Sequence, residues 1–229
     1  MYKNFKILAF IPARKGSKGI PNKNIINLAG KPLIQYTFDL VKSIDLFDGC
    51  FVSTDSEAIM NISKDYGFFL HDLRPTILGQ DKSIIYDVMK YEVETYNLKV
   101  FYDVIVLLQP TSPLRKINTV SEGIKRFLDN NFNSAVGVTN VNENPFFFRT
   151  LEQEKLKKIL PFDSTVRRQD LPIFYRINGA IYINFIKDIL NGYVSFNDNE
   201  YPIFFSNEES IDIDDMNDLK LAEEILRKF

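Results

Sequence analysis

Short, almost wholly apolar runs alternate with amphipathic helical segments up to about residue 140 of this chain. Runs such as FKILAFI at 5–11 and DVIVLLQ at 103–109 are too apolar for strands with one solvated face, so they indicate strands that are buried on both faces. Strands of this kind, separated by helices, predict a mainly parallel sheet with helices on both sides, a three-layer α/β/α (Rossmann-like) fold.

The predicted elements follow from these periodicities. Strands are expected at 5–11, 50–54, 68–70, 103–109, 134–139, 180–185 and 201–205. Helices are expected at 32–44, 56–66, 84–96, 117–128 and 215–227. Ligands of such sheets bind in a crevice outside the carboxyl ends of the strands. We therefore expect the polar segments that follow the strands to converge on one crevice.

The alternation stops near Val141. Residues 141–175 read as an inserted arm of hairpins or loops within one domain that covers 1–229. The arm contains three consecutive phenylalanines at 146–148, and so large an apolar group needs a cover. Either a partner subunit or the same domain could supply that cover.

Composition excludes several classes of function. With 28 basic and 30 acidic residues the net charge is −2, so nothing draws the whole chain to nucleic acid or to an anionic membrane. The single cysteine, Cys50, and the single histidine, His71, exclude an intrachain disulfide, a cysteine zinc site and a histidine-based triad. No apolar run reaches the ~18–20 residues of a membrane span, and no signal peptide is evident, so we expect a cytoplasmic protein.

A basic loop follows the first predicted strand. The segment IPARKGSKGIPNKNI at 11–25 carries Arg14, Lys15, Lys18 and Lys23, with two glycines and no acidic residue. Glycines let main-chain N–H groups approach phosphate oxygens, and cations neutralise them, so the loop is suited to a polyphosphate. It matches neither the Walker pattern nor the dinucleotide-binding pattern. A solvated loop is the ordinary alternative.

Two carboxylates stand in the segment SIDIDD at 210–215. In an extended chain Asp212 and Asp214 would share one face at a spacing of ~6.6–6.8 Å. Mg²⁺ is commonly held by one or two carboxylates together with water and substrate phosphates. The alternative is a cap for the following helix, which explains Asp215 but not Asp212.

Two further segments carry polar groups beside predicted strands. In QPTSPLR at 109–115 two prolines stiffen the backbone, and Gln109 could hold a substrate hydroxyl. The segment at 165–183 combines three arginines with Asn178 and Tyr182, and arginine suits bidentate binding of carboxylate or phosphate. A rigid turn and a local ion pair are the structural alternatives.

Taken together, these segments resemble the acylneuraminate cytidylyltransferases, the CMP-sialic acid synthetase family. The likeness covers nearly the whole chain, and its six motifs occur in the family's order. They are IPARKGSKGIPNKNI at 11–25, VSTDS at 52–56, LRP at 73–75, LLQPTSPLR at 107–115, RINGAIYI at 176–183 and SIDIDD at 210–215.

The resemblance implies a nucleotide-diphospho-sugar transferase fold, a homodimer formed through the arm, and a Mg²⁺-dependent transfer of CMP from CTP to a nonulosonic acid. The residues it assigns to the triphosphate are Arg14, Lys18 and Lys23, and the metal ligands are Asp212 and Asp214. The nucleotide would also contact Asn24, Arg74, Asp81 and Ser83. The sugar would contact Gln109, Arg168, Asn178 and Tyr182. The alternatives are a CMP-3-deoxy-manno-octulosonate synthetase or another sugar nucleotidyltransferase.

One departure from the family concerns the sugar. Where sialic acid synthetases supply a lysine near the start of the arm, this chain has NPFFFRT at 144–150, which offers Phe147 or Phe148. An apolar contact in place of a polar one favours a legionaminic- or pseudaminic-type acid over N-acetylneuraminate.

Overall fold

The computed structural model describes residues 1–68, 71–80, 83–141, 143–161, 165–192 and 201–228; the side chain of Arg168 also lies outside the described part. The described strands are β1 (Ile7–Ala13), β2 (Asn27–Leu28), β3 (Lys31–Pro32), β4 (Gly49–Thr54), β5 (Val104–Leu107), β6 (Ser134–Asn140), β7 (Arg149–Glu152), β8 (Lys155–Lys158), β9 (Tyr175–Phe185) and β10 (Tyr201–Phe204). The α-helices are α1 (Leu33–Lys42), α2 (Glu57–Asp65), α3 (Ile85–Thr95), α4 (Ile117–Asp129), α5 (Ile186–Leu190) and α6 (Met216–Leu226). Short 3-10 helices occur at Lys23–Ile25, Thr76–Gly79, Leu98–Val100, Pro145–Phe147 and Arg168–Asp170.

Six of the described strands form one sheet, in the order β10-β6-β9-β5-β1-β4. Strand β1 runs parallel to β4 and β5, and β6 runs parallel to β10. Strand β9 lies antiparallel between β5 and β6. The predicted mainly parallel sheet is confirmed. The reversal at β9 was not predicted, because an apolar run reports burial and not strand direction.

Helices cover both faces of the sheet, which confirms the three-layer prediction. On one face the side chains of β1 pack against buried residues of α1, α2 and α4; Val120, Ile124 and Phe127 show the helical spacing that buries one side of α4. On the other face Leu8 and Phe10 pack with residues of α3 and α5. The prediction missed α5, which has five residues and too little periodicity to be recognised.

The last helix is tied to the loop that follows the first strand. Ile20 of the basic loop, Ile213 and Leu219 belong to one small buried cluster. Asp215 is the N-cap of α6 and forms a capping box with Asp218, as the capping alternative predicted for this residue. A hydrophobic contact therefore fixes the carboxyl-terminal segment against the basic loop.

The inserted segment contains a hairpin. Strands β7 and β8 pair with each other and are largely exposed, with Gln153 and Glu154 at their turn in positive φ. Phe146 is buried and packs edge-to-face on Phe174 at 5.4 Å, whereas Phe147 and Phe148 remain exposed. The chain's own packing thus covers one of the three phenylalanines, and a dimerisation role for this arm stays a prediction.

Two other expectations concern a short strand and membrane-spanning helices. Of the strand predicted at 68–70, Phe68 is not extended into a sheet and the other two residues lie outside the described part. Within the ranges that the structure describes, none of the helices combines the length and apolar character that a bilayer crossing requires.

Candidate active site

A cleft of about 360 Å³ opens at the carboxyl ends of β1 and β5. It brings together residues of the basic loop, of the segment at 74–88, of the turn after β5 and of the carboxylate segment. The topology predicted this convergence for the basic loop and the turn. Predicted site residues in its lining are Arg14, Lys23, Asn24, Arg74, Ser83, Gln109, Asp212 and Asp214.

The basic loop forms one wall of the cleft. Asn24 is buried, and its side-chain amide donates to the carbonyl oxygen of Arg14 at 2.9 Å, which closes the loop on itself. The buried side chain of Ile20 anchors the loop to the core. Arg14 and Lys23 are thereby held at the cleft by a loop whose two ends are fixed.

The carboxylate segment forms the facing wall. The backbone N–H of Ile213 donates to the carbonyl of Thr111 at 2.8 Å, so the segment is joined to the turn after β5. Lys23 Nζ donates to the Ile213 carbonyl and to Asp214 Oδ1, both at 2.8 Å. Gly19 lies so close to this wall that a Cβ there would collide with the carbonyl oxygen of Asp214. The two walls are therefore in direct backbone contact.

Asp212 and Asp214 differ in environment. The Asp214 side chain is 78% exposed, and its Lys23 partner is 12% exposed. Burial raises the pKa of Asp212; a hydrogen bond with Thr111 opposes that rise, and the charge of Asp214 adds to it. Asp212 Oδ1 is buried and has no hydrogen-bond partner among the described residues. A carboxylate left in this state is costly, and a cation bound beside it would lower that cost.

The two carboxylates are a small donor set for a metal. Among the described residues no group of three or more histidine, cysteine, aspartate or glutamate side chains could enclose a cation. Two carboxylates next to a cation-lined cleft suit a hard ion that takes its other ligands from water and phosphate, as Mg²⁺ does.

Arg115 fixes the turn after β5 from behind. Its guanidinium donates to the carbonyl oxygens of Gln109 at 2.8 Å and Ala180 at 3.0 Å, and to the hydroxyl of Thr37 at 2.6 Å. Burial lowers its pKa to about 9, and the nearby Asp212 opposes that shift. The turn, β9 and α1 thus share one buried cation that holds Gln109 in place.

Gly179 explains how Gln109 and Asp212 share one corner of the site. The glycine has a φ of +75°, and a Cβ there would stand 3.0 Å from Gln109 Oε1 and 3.8 Å from Asp212 Oδ2. A glycine at this point of β9 leaves room for both side chains.

Arg74 lines the cleft although it is almost completely buried. Its backbone N–H donates to the Thr54 carbonyl at 2.9 Å. Burial lowers its pKa; Asp55 and Glu92 oppose that shift, and Arg14 adds to it. Arg14 and Arg74 are therefore two neighbouring cations of one cleft.

Other predicted site residues lie elsewhere. Lys18 is exposed and is not part of the cleft lining. Asn178 is buried: its amide donates to Ser210 Oγ at 2.9 Å and accepts from the Ala180 N–H at 3.1 Å. Tyr182 is half-buried in the core next to α3, and burial, followed by the charge of Asp212, raises its pKa. Their substrate contacts stay predictions.

Two predicted residues cannot be placed. Asp81 and the side chain of Arg168 lie outside the described part of the chain. The segment next to Asp81 is at the cleft, because Ser83 lines it and donates its hydroxyl to the Ile77 carbonyl at 2.7 Å.

The sequence pattern assigned no role to Arg115; it predicted that Asp55 and Thr111, which follow strands, lie at the crevice, but it gave neither of them a contact. Arg115 closes the QPTSPLR motif, and a lone arginine after a buried strand was the available signal. Asp55 accepts the Lys15 N–H at 2.7 Å, which ties the basic loop to the end of β4. The sequence contains no signal for that contact, because it joins residues from two loops.

Comparison with known proteins identifies the family to which this chain belongs. Residues 8–227 match the family model described as cytidylyltransferase. The chain is 34% identical over 225 residues to the CMP-N,N'-diacetyllegionaminic acid synthase of Legionella pneumophila, covering 96% of each. It is 30% identical over 221 residues to the pseudaminic acid cytidylyltransferase of Campylobacter jejuni, covering 95% of this chain and 94% of that protein.

Some relatives are longer. The N-acylneuraminate cytidylyltransferase of Escherichia coli O18:K1:H7 is 34% identical over 225 residues, which are 97% of this chain and 52% of that protein. The chain thus spans about half the length of this relative.

Solved structures establish the fold. The structure of CMP:2-keto-3-deoxy-manno-octonic acid synthetase complexed with CTP matches with a TM-score of 0.71 at 16% identity, covering 97% of this chain and 99% of that one. A 4-diphosphocytidyl-2C-methyl-D-erythritol synthase from Anaerococcus prevotii matches with a TM-score of 0.63 at 13% identity, with the same coverage. The cleft geometry, the matched residues 8–227 and the full-length relatives agree, and the chain belongs to the cytidylyltransferase family.

Proposed function

We propose that this chain transfers CMP from CTP to the anomeric hydroxyl of a nonulosonic acid, releasing pyrophosphate. One observation carries the proposal: Arg14 and Lys23 share a cleft with the carboxylates Asp212 and Asp214. It is supported by relatives whose names specify N-acylneuraminate, diacetyllegionaminic acid and pseudaminic acid.

In this proposal the cleft positions the two substrates. Arg14, Lys18 and Lys23 bind the triphosphate, and Asn24, Arg74, Asp81 and Ser83 hold the nucleoside. Gln109, Arg168, Asn178 and Tyr182 bind the sugar, with the guanidinium of Arg168 paired to the carboxylate that every nonulosonic acid carries.

The reaction needs positioning and charge neutralisation more than covalent help. The anomeric oxygen forms a bond to the α-phosphorus, and the bond from that phosphorus to the bridging oxygen of pyrophosphate breaks. The hydroxyl proton leaves to solvent or to a carboxylate of the cleft. Arg14 and Lys23 stabilise the charge that builds on the phosphate oxygens, which is worth several kcal/mol in comparable sites.

Asp212 and Asp214 would hold Mg²⁺. When bound, the ion would neutralise phosphate charge and lower the pKa of an oxygen next to it. The unpartnered Oδ1 of Asp212 and the exposed carboxylate of Asp214 support this assignment.

We also propose that the protein is a homodimer and that it acts in the cytoplasm. The exposed side chains of Phe147 and Phe148 support a partner at the arm. Cytoplasmic location is inferred from the use of CTP.

A CMP-3-deoxy-manno-octulosonate synthetase is not favoured, because its support is a fold likeness at 16% identity. Among nonulosonic acids, the apolar Phe147–Phe148 pair supports legionaminic- or pseudaminic-type sugars. In the structure Phe148 borders a second cavity, with Phe174, Tyr175 and Arg176, and neither Phe147 nor Phe148 is part of the lining of the cleft.

An assay of the pyrophosphate released from CTP tests the proposal. Purified protein with CTP and Mg²⁺ is offered N-acetylneuraminate, diacetyllegionaminate, pseudaminate and 3-deoxy-manno-octulosonate in separate reactions. We expect sugar-dependent release with at least one of the first three, and a CMP-sugar in the mass spectrum. Release with the octulosonate alone would contradict the assignment, and release with a sugar 1-phosphate instead would indicate another nucleotidyltransferase.

The metal assignment has a test besides turnover. Because burial raises the pKa of Asp212, the folded protein binds the proton of this carboxyl group more tightly than the unfolded chain does. The stability of the protein therefore falls as pH rises from the pKa of the unfolded chain through the higher pKa of the folded protein. Asp212→Asn removes this charge at nearly constant side-chain size and should abolish turnover.

Ligand-induced stabilisation completes this test. Mg²⁺ with CTP should raise the midpoint of the wild type, and should raise that of Asp212→Asn much less. Equal stabilisation of both proteins by Mg²⁺ with CTP would show that Asp212 is not a ligand of the metal.

A further inference from the structure

A buried carboxylate lies behind the cleft wall that carries Arg74. Glu92 of α3 is 2% exposed, on the same helix face as the buried residues Val88, Met89 and Val93. Burial raises its pKa, and a hydrogen bond from Ser53 and the charge of Arg74 oppose that rise. A carboxylate in an apolar face costs stability, and an apolar residue would fill the place at lower cost. Packing alone does not account for Glu92.

Ser53 joins Glu92 to Arg74. The hydroxyl of Ser53 donates to Glu92 Oε1 at 2.6 Å. Arg74 Nη1 stands 3.4 Å from the same hydroxyl oxygen. A serine hydroxyl has one hydrogen, and since that hydrogen points to Glu92, the oxygen is free to accept from the guanidinium. The direction of this hydrogen-bond relay is thus fixed: Arg74 donates to Ser53, and Ser53 donates to Glu92.

Arg74 needs counter-charge on this side. Arg14 lies in the same cleft, and its charge lowers the pKa of Arg74, so the two cations repel each other. Asp55 Oδ1 lies 3.9 Å from Arg74 Nη2, and Glu92 acts from the other side through Ser53. Negative charge behind the wall offsets the repulsion and holds the guanidinium in its place at the cleft wall.

We propose that Glu92, acting through Ser53, is a positioning residue for Arg74 and that it sets the affinity and base selectivity of the cleft for CTP. The proposal rests on the function proposed above. Glu92 does not line the cleft, so its effect must pass through Arg74.

The first experiment measures nucleotide binding by calorimetry, so it does not depend on the sugar. Glu92→Gln keeps the size of the side chain and removes its charge. We expect its Kd for CTP to rise about tenfold, and its preference for CTP over UTP to fall. Glu94→Gln is the matched control, because it removes the same charge from an exposed position of α3 and should bind CTP as the wild type does.

A double-mutant cycle separates positioning from a structural role. In an Arg74→Ala background, Glu92→Gln should change the Kd for CTP by less than about twofold, since the group through which it acts is gone. An independent tenfold loss in that background would overturn the proposal. A lower unfolding midpoint with unchanged CTP affinity would also overturn it.

Ser53→Ala is a second variant that keeps both charged groups. It should weaken CTP binding in the same direction, and normal binding by this variant would contradict the relay. Failure of the proposed function gives a different result: the wild type binds CTP but releases no pyrophosphate with any sugar. Unaltered CTP binding by Glu92→Gln in a protein that turns over CTP overturns the positioning role alone.

Discussion

His71 is held between two aromatic rings at the edge of the sheet. Its ring centroid lies 4.4 Å from that of Phe51 and 4.0 Å from that of Tyr96. Burial lowers its pKa, and Asp72 partly offsets that change. The folded protein therefore binds the imidazole proton less tightly than the unfolded chain does, and stability is lost as pH falls through about 6.5.

This linkage gives a prediction that a single substitution isolates, because the chain has one histidine. His71→Phe keeps a ring between Phe51 and Tyr96 and removes the titration. In urea unfolding at pH 7.5 and 5.5, the wild type should lose more free energy of unfolding than His71→Phe loses. Equal losses would mean that His71 titrates alike in both states.

At the residue scale, sequence patterns placed both charged groups and amides at the cleft, but not all of them. The alternation of Ile211 and Ile213 with Asp212 and Asp214 predicted that the two carboxylates share one face, and both of them line the cleft. Asn178 shows the limit: its amide bonds to Ser210 and to the backbone of Ala180, and its contact with the sugar stays a prediction. A polar residue in a buried strand can serve a ligand or the fold, and only the position of its neighbours distinguishes the two.

The basic loop is the element on which the site depends most. Its close approach to the carboxylate segment occurs at Gly19, and the φ of this glycine is not in the left-handed region. An alanine there would be tolerated by its own backbone but not by the neighbouring carbonyl oxygen of Asp214.

Gly19→Ala should therefore push the two walls of the cleft apart and reduce turnover on the order of 100-fold, as small displacements at such sites do. Gly16→Ala is the comparison, because a Cβ there meets no atom within 4 Å. Turnover and CTP affinity should fall much less in Gly16→Ala than in Gly19→Ala. Comparable effects of the two substitutions would show that loop flexibility matters and wall contact does not.

At the element scale, the long helices and the parallel strands were predictable, and β9 was only half predicted. Its apolar part at 180–185 was recognised, but the strand begins at Tyr175, and its first three residues are all exposed, so they lack the pattern of a buried strand. The end of β9 that was missed carries Gly179, next to Gln109 and Asp212. Sites are built at such positions, where burial no longer dictates residue type.

The whole molecule leaves an apolar face at one edge of its sheet. This apolar face consists of Phe148, Tyr175, Ile177 and Phe204, all of which are exposed. Tyr175 packs edge-to-face on Phe204 at 5.2 Å, and Phe204 belongs to the edge strand β10. Exposed aromatic groups on an edge strand are typical of surfaces that a partner covers.

If a second copy covers this face, the protein should sediment at twice its chain mass of 26.6 kDa. Phe204→Lys should then shift the equilibrium to the monomer, because a buried lysine opposite an apolar surface is costly. Phe101→Lys is the control, since Phe101 is also exposed but is not part of the apolar face. A monomeric wild type at micromolar concentration would rule out the proposed homodimer.

The ion pair between Lys23 and Asp214 spans 191 positions of sequence. During synthesis β1, α1 and β4 can pair and bury their apolar faces long before residue 214 is made, because their contacts are local. The facing carboxylates are made much later, and they dock through the backbone of Ile213 onto Thr111. Any fragment cut between residues 24 and 213 therefore lacks one half of the cleft, so the binding of CTP reports that synthesis has passed residue 214 and that the segments on both sides of the cleft have folded together.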